Sequence, residues 1–426
     1  MRRHAAWRAG ALVLVLAGAA VLVVALLRGG GGEPTGPPPL KQTPLSAEAL
    51  VDSIGVSTHF NYLDTAYARR PEIVARMREL GVRHVRAAMP TPPVGPIADG
   101  LRELKAAGIR GTLGTGDPNV DPARAVADAL SVMGGSIAAF EGPNELDHSG
   151  DPTWPAKLRS YMPGLEAATR SQAPGIPVVG PSFSKVGNNR LGLALPGMVN
   201  LHPYPGGKPP EPVFGEALAE VANGQGKGVV FTETGYHNAM NDAAAQPPVS
   251  EAVAAIYFPR LLVTAFGAGV RRTFVYELAD ERPEPALADP EEHFGLLRSD
   301  LSPKPAFLAV KTLIAALRLS PGPGPRSGGP DWEVRAPGDV DVQQLRLVRG
   351  DGSHVIALWR PVSVWDTARL QPIDVPPRRV EIRFGRPARD VAVWRPSVSQ
   401  APVLRRALAP QLSLDLGPDL TLISLR

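Results

Sequence analysis

Two glutamates stand where apolar, strand-like segments of the sequence end. Residues 140–145 (FEGPNE) deliver Glu145, and residues 229–235 (VVFTETG) deliver Glu233. Two carboxylates at strand ends are the minimum equipment for cleaving a glycosidic bond. Each motif is a weak signal when taken alone. Its meaning depends on the elements that position it.

Eight strand-then-helix units surround these motifs between Ser53 and Leu317. Each predicted strand is short and apolar and leads to a segment with apolar residues at helical spacing, except the fifth, which leads to a short helical or irregular piece. The strands are predicted at residues 53–60, 82–86, 109–113, 137–141, 177–180, 198–201, 228–232 and 270–276. Such alternation favours parallel strands, and eight units over about 265 residues fit a (β/α)₈ barrel better than an open sheet.

The spacing of the two glutamates agrees with a barrel. Glu145 and Glu233 are 88 residues apart, which corresponds to three βα units of about 30 residues each. This spacing places Glu145 after the fourth strand and Glu233 after the seventh. The carboxyl ends of barrel strands form one face, and active sites lie on that face. The sequence therefore predicts that the two carboxylates meet over one pocket.

The N-terminus predicts a membrane anchor. An apolar run from residue 11 to residue 27 follows the basic residues Arg2, Arg3 and Arg8. As a helix the run would span roughly 26 Å, close to the hydrocarbon core of a bilayer at about 30 Å. The basic side is expected to stay in the cytoplasm, so that the rest of the chain is exported. We expect residues 1–28 to be an uncleaved signal anchor, with a cleaved signal peptide and secretion as the alternative.

Two Gly/Pro-rich segments divide the remainder of the chain. Residues 29–47 are predicted to be a flexible linker, residues 48–319 the barrel, and residues 320–330 a second linker. From residue 331 to residue 426 the helical period disappears, and short alternating strands between turns, among them residues 380–384 and 391–394, predict a β-sandwich. Four tryptophans are expected in the core of this domain rather than on a carbohydrate-binding surface: Trp332, Trp359, Trp365 and Trp394.

The composition excludes several classes of function. A net charge of +4, scattered over 426 residues, argues against a nucleic-acid-binding surface. The chain has no cysteine, so disulfides, thiolate metal sites and a cysteine nucleophile are excluded. The sequence carries no HExxH metal motif, no Walker phosphate loop and no G-x-S-x-G serine. We therefore expect neither a metal ion nor another cofactor.

The order of the motifs resembles the clan of retaining (β/α)₈ glycoside hydrolases, which includes cellulases, β-xylosidases, mannanases and β-glucanases. The likeness rests on Asn144 and Glu145 after the fourth strand, a glutamate after the seventh, and the His-Pro-Tyr loop at residues 202–204. The segment at residues 294–307 and an appended β-sandwich are also similar. The resemblance covers residues 53–317 and implies an enzyme that cleaves a β-linked oligo- or polysaccharide.

The resemblance also implies roles for individual residues. Glu145 would be the general acid/base and Glu233 the nucleophile of a double displacement. Asn144 would bind the 2-hydroxyl of the sugar. Arg86, after the second strand, would hold the nucleophile carboxylate through its guanidinium group; a surface arginine beside Arg83 is the alternative.

Other residues would line the sugar site if the resemblance holds. These are His202, Tyr204, His59, Tyr276 and Trp154. Loop structure is the alternative role for His202 and Tyr204, and core packing is the alternative for His59 and Trp154. Tyr276 stands where many clan members carry a tryptophan platform, which leaves open a catalytically silent barrel that binds glycan or a partner protein at the cell surface. A transglycosylase on the same scaffold is a further alternative, and Glu141 is expected either in the pocket or as a buried structural carboxylate.

Overall fold

The structure, a computed structural model, describes residues 43–89, 91–190, 193–221, 227–242, 246–318, 332–336 and 342–425. The predicted signal anchor and the predicted linker at residues 320–330 lie outside these residues. Among the helices of the described ranges, none is long and apolar enough to cross a membrane.

The described chain begins with a short strand and a short helix that precede the barrel. Strand β1 (Leu45–Ser46) pairs in parallel with Leu347 and Val348 of the C-terminal domain, and helix α1 (Ala47–Ser53) follows directly. The Ser46 hydroxyl caps α1 by accepting from the N–H of Ala49. Residues 45 and 46 were predicted to be linker. A strand of two residues is too short to show an alternating pattern, so the sequence gives no sign of it.

Eight parallel strands form the barrel. They are β2 (Ile54–Thr58), β3 (His84–Ala88), β4 (Arg110–Gly114), β5 (Ile137–Glu141), β6 (Val178–Val179), β7 (Val199–Leu201), β8 (Val229–Thr234) and β9 (Thr273–Val275). β2 pairs with both β3 and β9, and a bridge between Val179 and Met198 joins β6 to β7. The predicted (β/α)₈ barrel is confirmed, and every predicted strand overlaps an observed one.

Helices surround the strands. They are α2 (Arg70–Leu80), α3 (Gly95–Ala106), α4 (Pro122–Met133), α5 (Trp154–Gln172), α6 (Pro210–Val221), α7 (Glu251–Gly267) and α8 (Pro305–Arg318). Single 3₁₀ turns lie at Ala66–Ala68, Gly134–Ser136, Leu146–His148, Val186–Arg190 and Pro290–Glu292. Local chemistry sets the ends: Asp121 and Ser250 cap α4 and α7 through their side chains, and Gly81 ends α2 with φ +88°.

The barrel interior changes from apolar to polar along the strands. Ala139, Val230 and Phe274 share one small apolar cluster, and a Cβ on Gly55 would lie only 2.4 Å from the Phe274 ring. Side chains two positions apart on a strand point to the same face. The next inward positions on these strands are therefore 141, 232 and 276, which carry Glu, Thr and Tyr. The apolar layer thus supports a polar layer at the carboxyl ends.

The C-terminal domain is a separate sheet. With β1, it contains β10 (Trp332–Arg335), β11 (Gln343–Val348), β12 (His354–Trp359), β15 (Arg378–Trp394), β16 (Leu404–Leu416) and β17 (Thr421–Leu425), while β13 (Trp365–Asp366) and β14 (Gln371–Pro372) form a hairpin. Apolar residues of this sheet form a core of their own. Residues 380–384 and 391–394, predicted as two strands, belong to the single strand β15, which pairs with β16 across a register shift after Arg383.

The domain also braces the barrel. All four of its tryptophans are buried, as predicted. The indole N–H of Trp359 donates to Glu211 at the start of α6 (2.8 Å), and that of Trp365 donates to the carbonyl of Pro248 (2.8 Å). These contacts place Trp359 and Trp365 between the domain and the barrel rather than on a free surface.

Candidate active site

The candidate site lies where the barrel strands end. Arg86 lies on β3 and Glu233 lies on β8. Glu141 ends β5, and the loop after it carries Asn144 and Glu145. The loop after β7 carries His202 and Tyr204. Hydrogen bonds join all seven side chains into one network. Positions far apart in the sequence therefore meet over one pocket.

Glu145 and Glu233 face each other closely. A carboxylate oxygen of Glu145 and one of Glu233 lie within 4.8 Å of each other. Glu233 is buried, whereas Glu145 is half-buried and has φ +42°. A non-glycine residue in the left-handed region costs about 1 kcal/mol or more, so it persists only where its surroundings hold it. The Glu145 N–H donates to the Ser182 hydroxyl (3.2 Å), which is one such contact.

Glu233 is held by two donors. Arg86 Nη1 donates to Oε1 of Glu233, and the Tyr204 hydroxyl donates to Oε2 (2.7 Å). Burial alone raises the pKa of Glu233, but the charges of His202 and Arg86 and the Tyr204 hydrogen bond outweigh burial and hold it well below its usual value. Glu233 is therefore ionised at neutral pH, as a nucleophilic carboxylate must be.

His202 connects both glutamates. Its Nδ1 lies 2.7 Å from Glu145 Oε1 and 3.6 Å from Glu233 Oε2, and its Nε2 lies 2.8 Å from the Thr232 hydroxyl. Burial lowers the pKa of His202, but the charge of Glu233 and the hydrogen bond with Glu145 raise it, and the net shift is upward. An imidazolium in this position would donate to Glu145 while facing Glu233.

A third carboxylate, Glu141, lies beneath the other two and is fully buried. Arg86 donates to it twice, through Nε and Nη2, both at 2.9 Å. Asn200 Nδ2 and the Thr232 hydroxyl donate to its Oε1 at 3.1 and 3.0 Å. Of the two roles expected for Glu141, the structure shows the buried one, although its partner Arg86 reaches the pocket.

Asn144 is exposed beside the glutamates. Its Oδ1 accepts from Arg86 Nη2 (2.7 Å) and from the Ser182 hydroxyl (2.8 Å). Both partners are donors, so they assign the oxygen and leave the amide nitrogen on the other side of the group. The amide is thereby fixed next to Glu145.

His59 and three tyrosines pack together beside Glu233. His59 stacks on Tyr62 with 4.8 Å between the ring centroids, and Tyr276 lies 5.4 Å from His59 and 6.2 Å from Tyr204. The Tyr276 hydroxyl donates to Oε2 of Glu291 (3.0 Å). Tyr276 therefore lies beside Tyr204, which donates to Glu233. It occupies the position at which many members of the resembled clan carry a tryptophan platform.

His59 also contacts a buried carboxyl group, that of Glu277. Its Nε2 lies 3.3 Å from Oε2 of Glu277, and the Tyr67 hydroxyl donates to the same oxygen at 2.6 Å. Burial, and then the charge of Glu281, raise the pKa of Glu277 well above its usual value. Burial also lowers the pKa of His59 to about 4. His59 is therefore neutral at pH 7, and burial favours the protonated, neutral form of Glu277.

Trp154 lies outside the hydrogen-bond network. It is half-buried at the start of α5, and its ring packs on Phe183 with 5.6 Å between the centroids. Phe183 adjoins Ser182, which binds Asn144 and Glu145. Trp154 thus flanks the loop that carries Glu145.

Sequence reasoning missed four polar residues of the site: Ser182, Asn200, Thr232 and Glu291. Asn200 precedes His202 by two positions, and Thr232 is a buried polar residue within an apolar strand. Alternation along β7 and β8 could have placed these two in the interior. Ser182 and Glu291 lie in loops whose course follows no periodic pattern.

Glu145, His202 and Glu233 each offer an atom that could bind a metal ion, since those atoms lie within 4.8 Å of one another. The surrounding charges oppose such binding. Arg86 and the Tyr204 proton already bind the two oxygens of Glu233, and a cation there would be repelled by the guanidinium group. The donor set fits carboxylate chemistry better than metal chemistry.

No protein-family model and no curated protein sequence matches the chain. Solved structures do match. The chain is similar to a family 39 glycoside hydrolase from Bacteroides cellulosilyticus, with 14% identity over 90% of this chain and 82% of that chain and a TM-score of 0.61. A GH39 enzyme from Xanthomonas axonopodis gives 17% identity, 88% and 94% coverage and a TM-score of 0.56. A monomeric β-xylosidase from Caulobacter crescentus gives 15% identity over 90% of this chain and 97% of that chain, with a TM-score of 0.55.

At these identities the likeness shows the fold. Each match covers 88% of this chain or more, so it includes residues of the sheet domain as well as of the barrel. The chain therefore has the fold of these barrel glycoside hydrolases, which is the fold that the resemblance implied.

Proposed function

We propose that the protein is a retaining glycoside hydrolase that cleaves the O-glycosidic bonds of a β-linked glycan by double displacement. The observation that carries the proposal is the distance between the carboxylate oxygens of Glu145 and Glu233, which lie within 4.8 Å of each other. Retaining enzymes keep their two carboxyl groups about 5–5.5 Å apart, and inverting enzymes about 6.5–9.5 Å apart. The fold shared with a β-xylosidase supports a β-glycoside as substrate.

In the first step Glu233 attacks the anomeric carbon. The bond from that carbon to the leaving oxygen breaks as the proton of Glu145 passes to the oxygen. The products are a free alcohol, a glycosyl ester on Glu233 and an ionised Glu145. Arg86 and Tyr204 keep the attacking carboxylate ionised and in place beforehand.

In the second step a water molecule replaces the alcohol. Glu145 takes a proton from the water, whose oxygen attacks the anomeric carbon. The ester bond to Glu233 then breaks. The sugar leaves with its original configuration, Glu233 regains its charge and Glu145 regains its proton.

The neighbouring side chains would bind the sugar at the reacting centre. Asn144 would donate from its amide nitrogen to the 2-hydroxyl, a role supported by the two donors that hold its Oδ1. His202 would stay hydrogen-bonded to Glu145 whether Glu145 is protonated or ionised. Tyr276 and His59 would form an apolar wall, and Trp154, which follows the loop of Glu145, would stack on a sugar face.

Separate variants test the two assigned roles. With an activated aryl β-glycoside and added azide, Glu233→Ala should regain activity and release the α-glycosyl azide, while Glu145→Ala should release the β-glycosyl azide. Hydrolysis at the wild-type rate in both variants would remove the proposal. Sugar binding without turnover by the wild-type protein would indicate a silent barrel, and longer oligomers in mass spectra would indicate a transglycosylase.

We also propose that the barrel is exported and attached to the membrane. This proposal rests on the apolar run at residues 11–27 and the arginines before it. Fractionation of cells that express the full chain should place it in the membrane fraction, and a chain that begins at residue 29 should be soluble. A new N-terminus downstream of residue 27 in the purified protein would instead indicate signal cleavage and secretion.

A further inference from the structure

We propose that Glu141 is a positioning residue that sets how strongly Arg86 holds the nucleophile, by aiming the guanidinium group and sharing its charge. This proposal rests on the proposed function, because it assigns Glu233 as the nucleophile. Glu141 itself is fully buried and acts through Arg86.

The geometry gives Glu141 control of the guanidinium plane. Two of the three guanidinium nitrogens, Nε and Nη2, donate to its two oxygens at 2.9 Å. A bidentate bond of this kind fixes both the position and the orientation of the group. The third nitrogen, Nη1, is then directed to Oε1 of Glu233. Glu233 therefore receives its donor in a direction that Glu141 defines.

Glu141 is itself fixed from the other side. Asn200 Nδ2 and the Thr232 hydroxyl donate to its Oε1. Thr232 also contacts His202 Nε2 (2.8 Å), and His202 contacts Glu145. A chain of hydrogen bonds thus runs from Glu145 through His202, Thr232, Glu141 and Arg86 to Glu233, and Glu141 stands at its centre.

The charge balance changes during the proposed reaction. Arg86 faces two carboxylates in the free protein, and burial lowers its pKa while Glu141 and then Glu233 raise it above its ordinary value. When Glu233 becomes a glycosyl ester, Glu141 is the carboxylate that still accepts directly from Arg86, while the newly ionised Glu145 contacts His202. A buried cation without a counter-charge is costly, so Glu141 allows Glu233 to lose its charge while Arg86 stays in place.

The other ionisable groups around this pair come from every side of the pocket. They are His59 after β2, Glu145 after β5, His202 and Tyr204 after β7, and Glu291 in the loop after β9. Removing the negative charge of Glu141 makes the whole site more positive. Each neighbouring acid should then lose its proton at lower pH.

Two substitutions separate the charge of Glu141 from its shape. Glu141→Gln keeps the shape and removes the charge, whereas Glu141→Asp keeps the charge and is too short to serve all four donors. Glu211→Gln is the matched control, because Glu211 accepts a bidentate bond from buried Arg260 (3.0 and 2.7 Å) at the domain interface. All three variants are assayed as full chains on an aryl β-glycoside across pH, with folding checked by circular dichroism.

In E141Q the alkaline limb of the kcat/KM profile should move to lower pH by about one unit. Its kcat/KM, which reports formation of the glycosyl-enzyme, should fall roughly tenfold and by more than kcat. E141D should keep its limbs in place while kcat and kcat/KM fall together, roughly 10²-fold. E211Q should keep both the limbs and the rate constants.

A measurement without turnover separates this proposal from the proposed function. The ring of His202, followed by NMR, should titrate at lower pH in E141Q than in the wild type or in E211Q. An unchanged His202 titration and unchanged limbs in E141Q would overturn the role of Glu141 while hydrolysis continues. If E141Q does not fold, wild-type rate constants in E141D would overturn the role instead. Full hydrolysis in Glu145→Ala and Glu233→Ala would overturn the proposed function, whereas the His202 titration tests the influence of Glu141 on the site without any turnover.

Discussion

Two arginines of this molecule, the buried Arg260 and the half-buried Arg86, bind carboxylates in the same bidentate way, yet their remaining donors end on different partners. Arg260 at the domain interface donates to Glu211, and its Nη1 donates to the carbonyls of Val362 (3.0 Å) and Pro418 (3.2 Å). Arg86 in the barrel donates to Glu141, and its remaining bonds go to Asn144 and Glu233.

The difference lies in what each arginine leaves available. The hydrogen bonds of Arg260 end on Glu211 and on backbone carbonyls of the C-terminal domain, so they hold the two domains together. One bond of Arg86 ends on Glu233, whose carboxylate borders the pocket and has a lowered pKa. Arg260 thus binds groups of the domain interface, whereas Arg86 binds one group, Glu233, that borders the pocket.

Exchanging each arginine for lysine should separate the two roles most widely. Lysine keeps the charge but loses the planar fork, so it cannot serve several acceptors at fixed angles. Arg86→Lys should lower kcat/KM by at least about 10²-fold. Arg260→Lys should lower the free energy of unfolding by about 3 kcal/mol, because carbonyls and a carboxylate lose buried donors.

Denaturant unfolding and kinetics on an aryl β-glycoside measure both quantities in both variants. The comparison fails if Arg260→Lys loses activity at a temperature at which it remains folded. It also fails if Arg86→Lys retains wild-type kinetics.

Two tyrosines extend the comparison with a smaller effect. Tyr204→Phe removes the donor to Glu233 Oε2, so the pKa of Glu233 should rise and kcat/KM should fall roughly tenfold. Tyr257→Phe is the matched change at the interface, where the hydroxyl accepts from the N–H of Val364 (3.0 Å). It should cost about 1 kcal/mol of stability and leave kcat/KM unchanged.

The Tyr204 variant also predicts a change in acid stability. The pKa of Glu233 is lowered in the folded protein, so its contribution to stability is present above the unfolded pKa of about 4.3 and is lost as pH falls. Tyr204→Phe should make this contribution smaller. Unfolding curves at pH 3 and pH 6 give the difference in the free energy of unfolding between the two pH values. The same difference in the wild type and in Tyr204→Phe would contradict the prediction.

A buried carboxylate without an arginine should behave in the opposite way. Glu277 is fully buried, and its Oε1 has no hydrogen-bond partner among the described residues. Burial raises its pKa, so its contribution to stability is present below pH 4.3 and is lost as pH rises toward the folded pKa. Glu277→Gln removes the titrating group. It should stabilise the protein at pH 8 relative to pH 5 by on the order of 1 kcal/mol.

Thermal unfolding of the wild type and of Glu277→Gln at both pH values tests this expectation. The same pH dependence in the two proteins would show that Glu277 does not titrate differently in the folded state.

The sequence predicted the elements of this comparison better than their connections. The ends of β5 and β8 placed Glu145 and Glu233 correctly at the barrel mouth, because strand ends follow from periodicity and turn residues. The hydrogen-bond network around Glu141 depends on Asn200 and Thr232, which lie 59 and 91 residues away in the sequence. A threonine in an apolar strand is ordinary, and residue type alone does not reveal which distant carboxylate its hydroxyl will meet.

The sheet domain shows the same limit. Its tryptophans were assigned to the core because large apolar rings are usually buried. The 17 residues of β15 were predicted as two strands because Gly385 and Pro387 interrupt the alternating pattern. The strand continues through them because the register shift after Arg383 accommodates the interruption, and such a shift depends on pairing with β16.

An exposed arginine–carboxylate pair should make the smallest contribution to stability in this comparison. Arg379 on β15 lies 3.3 Å from Asp415 on β16, and both side chains are more than half exposed. Water screens this pair, and ordering two long side chains offsets the attraction between them. Arg379→Gln should therefore change the free energy of unfolding by less than about 0.5 kcal/mol and leave kcat/KM unchanged. Denaturant unfolding at low and high salt measures the change. A loss comparable to that of Arg260→Lys would show that pairing with a carboxylate, rather than burial and saturation of the guanidinium group, determines what an arginine contributes in this protein.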